Sequence, residues 1–291
     1  MAARNAGIRY ARLENRRTMM RRVTRAIVFA VILATAGCSS AKPENNMRKE
    51  ETEIIVFAAA SMTETMTEIA EMYHKKEPDI NIIYNFDSSG TLKTQIQEGA
   101  DCDIFISAAQ KQMNELDISS NANSEKQDFV DPNTRFDLIS NSIVLITPKG
   151  NPAGIEEFED VATDIVDLIV LGNADVPVGQ YSEEIFTYIG LWEKLNYEKK
   201  ITFGTNVKEV IAQVEAQAAD CGVVYSTDAA SSEDVEVVCH APEDSHRPIT
   251  YPVAILKNSE HKEEAEVFLE YLKGDDCRNV FEKAGFIVDR K

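Results

Sequence analysis

The sequence predicts an α/β protein of mostly parallel sheet flanked by helices, and is consistent with two lobes that would hold a ligand in the cleft between them. Three observations carry that reading. Apolar strand-like runs alternate with amphipathic helical patterns along the chain, the order that builds parallel sheets covered by helices. About 240 residues follow the N-terminal segment, enough for one large domain or two of ordinary size. Two strands end in a serine that opens a helix, at Ser61 and again at Asp87-Ser88-Ser89-Gly90. Each junction offers N–H groups without intrahelical partners, and a hydroxyl, at the positive end of a helix dipole. Such junctions bind anions.

Residues 1–38 read as an export signal. Arg21, Arg22 and Arg25 precede the apolar run Ala26–Ala34, too short to span a bilayer, and Ala36-Gly37 then meets Cys38. That ending resembles the bacterial lipoprotein cleavage box, in which the cysteine is lipidated, although Thr35 stands where the box usually has leucine. Ordinary secretion with a nearby cut is the alternative, and Met19 or Met20 is an alternative start. Residues 39–51 form a polar tether. The segment 1–38 holds eight Arg and one Glu, so its removal takes the formal net charge from −19 to −26. Nucleic acid needs a basic footprint and is excluded as a partner; an anionic membrane surface is disfavoured for the same reason.

The elements follow in order. Ile54–Ala60 is a strand, and Met62, Met66, Ile69 and Tyr73 then fall on one helix face. Ile80–Phe86 is a strand, Thr91–Glu98 a short helix, Asp103–Ser107 a third strand and Gln110–Leu116 a helix, with a polar loop over 119–131. Ser142–Thr147 is a strand stopped by Pro148 and Gly150, and Val166–Leu171 another. Pro177–Tyr181 reads as a loop, with Ser182 capping a helix to Ile189. Val207, Val210, Ile211, Val214 and Ala218 share a helix face beginning at Asn206. Cys221–Tyr225, Val235–Val238 and Tyr251–Leu256 are strands, and the chain ends in a helix striped by Ala265, Phe268, Leu269 and Leu272. Lobe 1 is assigned to 52–141 plus 249–291 and lobe 2 to 142–248.

Enzyme readings find little support. His74 and His261 lie among charged residues, and Asp244-Ser245-His246 has triad composition but not the spacing of residues that meet in space. Ser61 and Ser89 lack a Gly-x-Ser-x-Gly elbow or a Ser-x-x-Lys pair. Glu64, three residues after Ser61, suggests a capping box, so Ser61 alone reads as an N-cap. Ser89 could be an ordinary cap, and Tyr225 a core tyrosine. No spacing suits a metal site. Cys102, Cys221, Cys239 and Cys277 could form two bridges or stay free.

The joint motifs decide between these readings. The stretches VFAAASMTETM, FDSSGTLKTQIQEGADCDIFISAAQKQM, NSIVLITP, VPVGQYSEE, NVKEVIAQVE, CGVVYSTDA, PEDSHRPITYPVAIL and FLEYLKG occur in this order, and residues 53–107 and 141–288 carry the likeness. Together they resemble the molybdate-binding proteins of bacterial ABC importers. The resemblance implies a type II periplasmic-binding-protein fold and an oxyanion held by Ser61 and Ser89 through hydroxyl and backbone N–H. Val178 and Val207 would add backbone N–H groups, and Tyr225 its phenol. Val178 replaces the family's common alanine without loss of an amide. Gly90 replaces a frequent serine and should loosen that turn without removing a donor. Cys102 and Cys221 depart from commoner small residues or proline.

The same resemblance implies a binding protein, not an enzyme, with molybdate or tungstate as ligand and neither a cofactor nor a metal cation. Its partners would be a membrane permease and a cytosolic ATPase. It would act as a monomer, tethered by lipid at Cys38 to the outer face of the cytoplasmic membrane. Neutral donors suit a tetrahedral dianion, which has acceptors only. Lys93 and Lys208, the cations near these junctions, read as solvent-facing. A protonated oxyanion such as phosphate would bring a donor to a donor-lined site, at a cost of about 1–3 kcal/mol. Sulfate is unprotonated and stays open as an alternative ligand; an exported serine hydrolase is the other rival.

Overall fold

The structure, a computed structural model, describes residues 51–288. The export signal, Cys38 and tether residues 39–50 lie outside the described residues. In chain order the elements are β1 (Thr52–Ala59), a 3-10 turn (Ala60–Met62), α1 (Thr63–Lys76), β2 (Ile80–Asp87), α2 (Ser89–Gln97), β3 (Ile104–Ile106) and α3 (Gln110–Leu116). Then come β4 (Phe136–Ser140), β5 (Ile143–Pro148), a second 3-10 turn (Phe158–Ala162), β6 (Ile169–Gly172), α4 (Pro177–Tyr188), α5 (Trp192–Tyr197) and β7 (Ile201–Gly204). The rest is α6 (Val207–Glu215), β8 (Cys221–Tyr225), α7 (Ser226–Ala230), β9 (Val235–His240), β10 (Thr250–Ile255), α8 (Lys262–Leu272) and α9 (Asp275–Lys283).

Two five-stranded sheets result, ordered β2-β1-β3-β10-β4 and β7-β6-β8-β5-β9. In each, a parallel trio is followed by one reversed strand, β10 or β5, and by an edge strand that runs with the trio. The first sheet takes its strands from residues 52–140 and 250–255, the second from 143–240. The chain crosses between them through Asn141-Ser142 and again through 241–249. The described residues belong to one compact unit.

The inner strands β5 and β8 are buried along their whole length, covered on both faces, which is why they are apolar without alternation. Helix α1 turns Met66, Ile69 and Tyr73 inward, as its periodicity predicts. Helix α4 differs from expectation: it begins at Pro177, more than a turn before Ser182. Proline suits the first helical position, since its missing N–H has no acceptor there and its φ is already helical. Ser182 sits inside the helix, its hydroxyl donating to the Val178 carbonyl at 2.7 Å. Gly179 lets α4 seat against the end of β6, where an added Cβ would stand 2.1 Å from the Gly172 carbonyl oxygen.

Other departures are smaller. Strand β6 starts at Ile169, later than expected, and Ala218 lies beyond α6 and is exposed. Strands β4 and β7 and helix α5 escaped the sequence reading because they are short and carry polar or mixed residues. A further helix, α9, follows α8 after Gly274 and buries Cys277, Val280 and Phe281. The four cysteines of the described residues are free. Burial pushes each thiol up, that of Cys277 to about 12, so none is poised to react.

Candidate anion-binding site

The parallel pairing of β1 with β2 sets Ala59 opposite Asp87, so the two strand–serine–helix junctions lie side by side. Strand β3 ends at the same level, with Ile106 opposite Ala58. In open α/β sheets ligands bind at these carboxyl ends. Ser88 is the N-cap of α2, its hydroxyl accepting from the Thr91 amide at 3.1 Å. The capping role therefore falls on Ser88 and leaves Ser89 free for another. Ser89 is buried, and its hydroxyl oxygen accepts from the Ala108 amide at 2.9 Å while keeping its own proton to donate.

The capping box expected at Ser61 does not form. Helix α1 follows the 3-10 turn and has no side-chain cap. The Ser61 hydroxyl instead meets the Tyr251 phenol at 3.0 Å, and Glu64 reaches across to Lys208. Nor does either serine have a general base: the polar partners of their hydroxyls are a phenol and an amide. His246 bonds the Arg247 carbonyl through Nδ1, so Asp244-Ser245-His246 makes no triad.

The second sheet repeats the arrangement. Strands β6, β7 and β8 run parallel, so the starts of α4 and α6 and the end of β8 gather at one edge. Val178 lies in the first turn of α4, which has no side-chain cap. Val207 opens α6, where Asn206 caps the Glu209 amide at 3.0 Å. First-turn amides have no intrahelical acceptor. Tyr225 ends β8, and its buried hydroxyl has no hydrogen-bond partner among the described residues. Burial pushes that phenol well above its ordinary value, so it stays protonated and able to donate.

Contacts between the halves bring the two edges together. The Gly90 amide donates to the Asp175 carbonyl at 3.1 Å, just ahead of α4. This corrects the expectation of a looser turn with a spare donor. The amide is engaged, and glycine is needed because a Cβ would stand 2.2 Å from that carbonyl oxygen. Lys208, expected to face solvent, bridges Glu64 at 2.8 Å and the buried Asp228 at 3.3 Å. Lys93 pairs with Glu115 at 2.6 Å within the first half. The rings of Tyr225 and Tyr251 meet across the halves with centroids 5.9 Å apart. Ser61, Ser89, Val178, Val207 and Tyr225 are all buried.

Residues 54–287 match the family described as bacterial extracellular solute-binding protein. The chain belongs to that family. This solute-binding protein is 38% identical over 262 residues to YvgL of Bacillus subtilis, provisionally named an ABC transporter substrate-binding lipoprotein, covering 90% of this chain and 96% of YvgL. It is 36% identical over 271 residues to the molybdate-binding protein ModA of Haemophilus influenzae, covering 92% of this chain and 99% of that protein. Among solved structures, the periplasmic molybdate-binding protein of Azotobacter vinelandii superposes with a TM-score of 0.70 at 24% identity, over 81% of this chain and 100% of the other. That likeness establishes the two-lobed, type II periplasmic-binding-protein fold.

Sequence reasoning missed three residues that surround the site of this solute-binding protein, Asn141, Asp228 and Tyr251, and misread a fourth, Lys208. Tyr251 stands in an apolar strand and reads as core. Asn141 stands just before the strand expected at Ser142–Thr147 and carries no signal of its own. The charge alternation around Lys208 is that of a solvated helix face, and only the approach of Glu64 from 144 residues away reverses it.

Proposed function

We propose that this solute-binding protein captures molybdate, and also tungstate, outside the cytoplasmic membrane and delivers it to an ABC importer. The observation that carries this reading is the Tyr225 hydroxyl, buried without a partner where two sets of helix starts converge. A buried hydroxyl without a partner costs about 1–3 kcal/mol, and an acceptor-rich ligand at that point relieves it. The other polar groups are serine hydroxyls and first-turn amides, all neutral donors. The nearby cation, Lys208, is engaged by two carboxylates. Such a site answers a tetrahedral dianion, whose oxygens all accept.

In this reading Ser61 and Ser89 hold the anion from one lobe and Val178, Val207 and Tyr225 from the other. Contacts to both lobes give the anion higher affinity for the closed arrangement, which is how binding drives closure. The protein works without cofactor and catalyses no reaction, as a monomer lipidated at Cys38. A permease and its cytosolic ATPase take the ligand from it. The similarity to ModA and to YvgL supports both the ligand and the tether.

Titration calorimetry with molybdate, tungstate, sulfate and phosphate tests the ligand. Molybdate and tungstate should bind tightly, phosphate negligibly. Sulfate bound as tightly as molybdate would overturn the assignment.

A further inference from the structure

The bond between Ser61 and Tyr251 has a direction, and the groups behind it fix that direction. Asn141 sits where the chain passes from β4 to β5. Its Oδ1 accepts from the Ser142 backbone N–H at 2.9 Å and from the Ser226 hydroxyl at 3.1 Å. A backbone N–H can only donate, so that edge of the amide is its oxygen and the opposite edge its NH2 group. From that edge Nδ2 donates to the Thr227 hydroxyl at 2.9 Å and to the Tyr251 phenol oxygen at 3.2 Å. Tyr251 is therefore an acceptor towards Asn141.

Tyr251 is fully buried, and its one other hydrogen-bond partner among the described residues is the Ser61 hydroxyl at 3.0 Å. Were Ser61 to donate to the phenol, the phenol's proton would be left without an acceptor in the interior, against the rule that buried donors are paired. The phenol must donate to Ser61. Burial, with Asp228 adding to it, pushes Tyr251 far above its ordinary value, so the proton stays in place at physiological pH. Ser61 has one proton of its own and now accepts where it could otherwise have donated.

We propose that Asn141 and Tyr251 are positioning residues that hold Ser61 as a hydrogen-bond donor to the bound anion, and that this fixed polarity rejects protonated oxyanions. The inference rests on the proposed function, since it takes Ser61 as a ligand-binding group. It adds a cause of selectivity that lies outside the residues touching the ligand. Ser89 has the same polarity, set by the Ala108 amide, but a backbone amide cannot reverse. At Ser61 the polarity depends on side chains, and Asn141 also bonds to Ser226 and Thr227 of α7 beyond the crossing, so it is set by residues of both halves.

The test is a double-mutant cycle on Tyr251→Phe and Ser61→Ala, read by calorimetry with molybdate and phosphate at pH 7. Tyr251→Phe keeps the ring against Phe286 and Tyr225. It should weaken molybdate about tenfold and narrow the molybdate-over-phosphate ratio by a similar factor, because a rotating Ser61 can accept from a protonated ion. In the Ser61→Ala background the same change should cost nothing further. Asn141→Ala gives a second reading of the same cycle if Tyr251→Phe folds poorly; its smaller loss should also vanish with Ser61→Ala. An equal loss in both backgrounds would mean that the phenol acts through packing, and would overturn the inference. So would unchanged affinity and ratio in Tyr251→Phe, leaving the proposed function intact. Wild-type protein that binds no molybdate would instead overturn the proposed function and this inference with it.

Discussion

The two halves of the site are built from the same element, a strand ending at a helix start, yet they present their donors differently. In the first half the hydroxyl oxygens of Ser61 and Ser89 are already engaged, by Tyr251 and by the Ala108 amide. In the second half the Tyr225 hydroxyl has no partner, and α4 begins without a side-chain cap. The first half is thus pre-oriented, while the second holds unsatisfied donors that gain only when an anion is present. A binding protein needs both. Pre-orientation limits what must be ordered on binding, and unsatisfied donors supply the differential affinity that moves the closure equilibrium.

This contrast can be broken most forcefully where the halves touch. Gly90→Ala places a Cβ against the Asp175 carbonyl and parts the two edges. Overpacking there should weaken molybdate roughly 100-fold, measured by calorimetry, while circular dichroism shows each lobe still folded. Ser89→Ala removes one pre-oriented donor to a charged ligand and should weaken binding about 30-fold with folding retained; unchanged affinity would remove Ser89 from the site.

Tyr225→Phe sharpens the comparison from the other side. It should weaken binding about tenfold, yet raise the ligand-free melting temperature by about 2–4 °C, because it deletes a buried hydroxyl that lacks a partner. Ser89→Ala should show no such gain. A fall in the ligand-free melting temperature of Tyr225→Phe would show that the two halves do not differ in this way.

The smallest effect concerns pH. Burial holds the Asp228 carboxyl up at about 6, although Lys208 pulls it down; its ordinary value is 3.8. Between those values the folded chain keeps a proton that the unfolded chain has lost. The contribution of Asp228 to stability is therefore full below pH 3.8 and is lost as pH rises through 6. In urea unfolding, Asp228→Asn should lose less stability than wild type between about pH 4 and 6, by on the order of 2 kcal/mol. Parallel profiles would place the titration elsewhere.

Much of the frame was legible in the chain. Periodicity located most of the strands and the face of α1, since burial against a sheet writes itself into spacing. The serine junctions marked an anion site, because a helix start has unpaired amides wherever it occurs. Val178, Val207 and Tyr225 were legible only as motifs. Nothing local in Pro-Val-Gly distinguishes a loop from a helix start, and the cap of α4 was accordingly expected at Ser182, six residues after Val176.

By itself the sequence determined the α/β class, the order of its elements and the chemistry of two donor-rich junctions, all consequences of neighbours along the chain. Tertiary structure alone decided that Ser88 caps and Ser89 does not, that Lys208 is locked between Glu64 and Asp228, and that Gly90 must be glycine. It also decided that Tyr251, 190 residues from Ser61, supplies the proton that fixes the serine's polarity. The physical reason is common to all four. Hydrogen-bond direction, ion pairing and close approach are settled by which groups meet once water is excluded, and those groups come from distant parts of the chain.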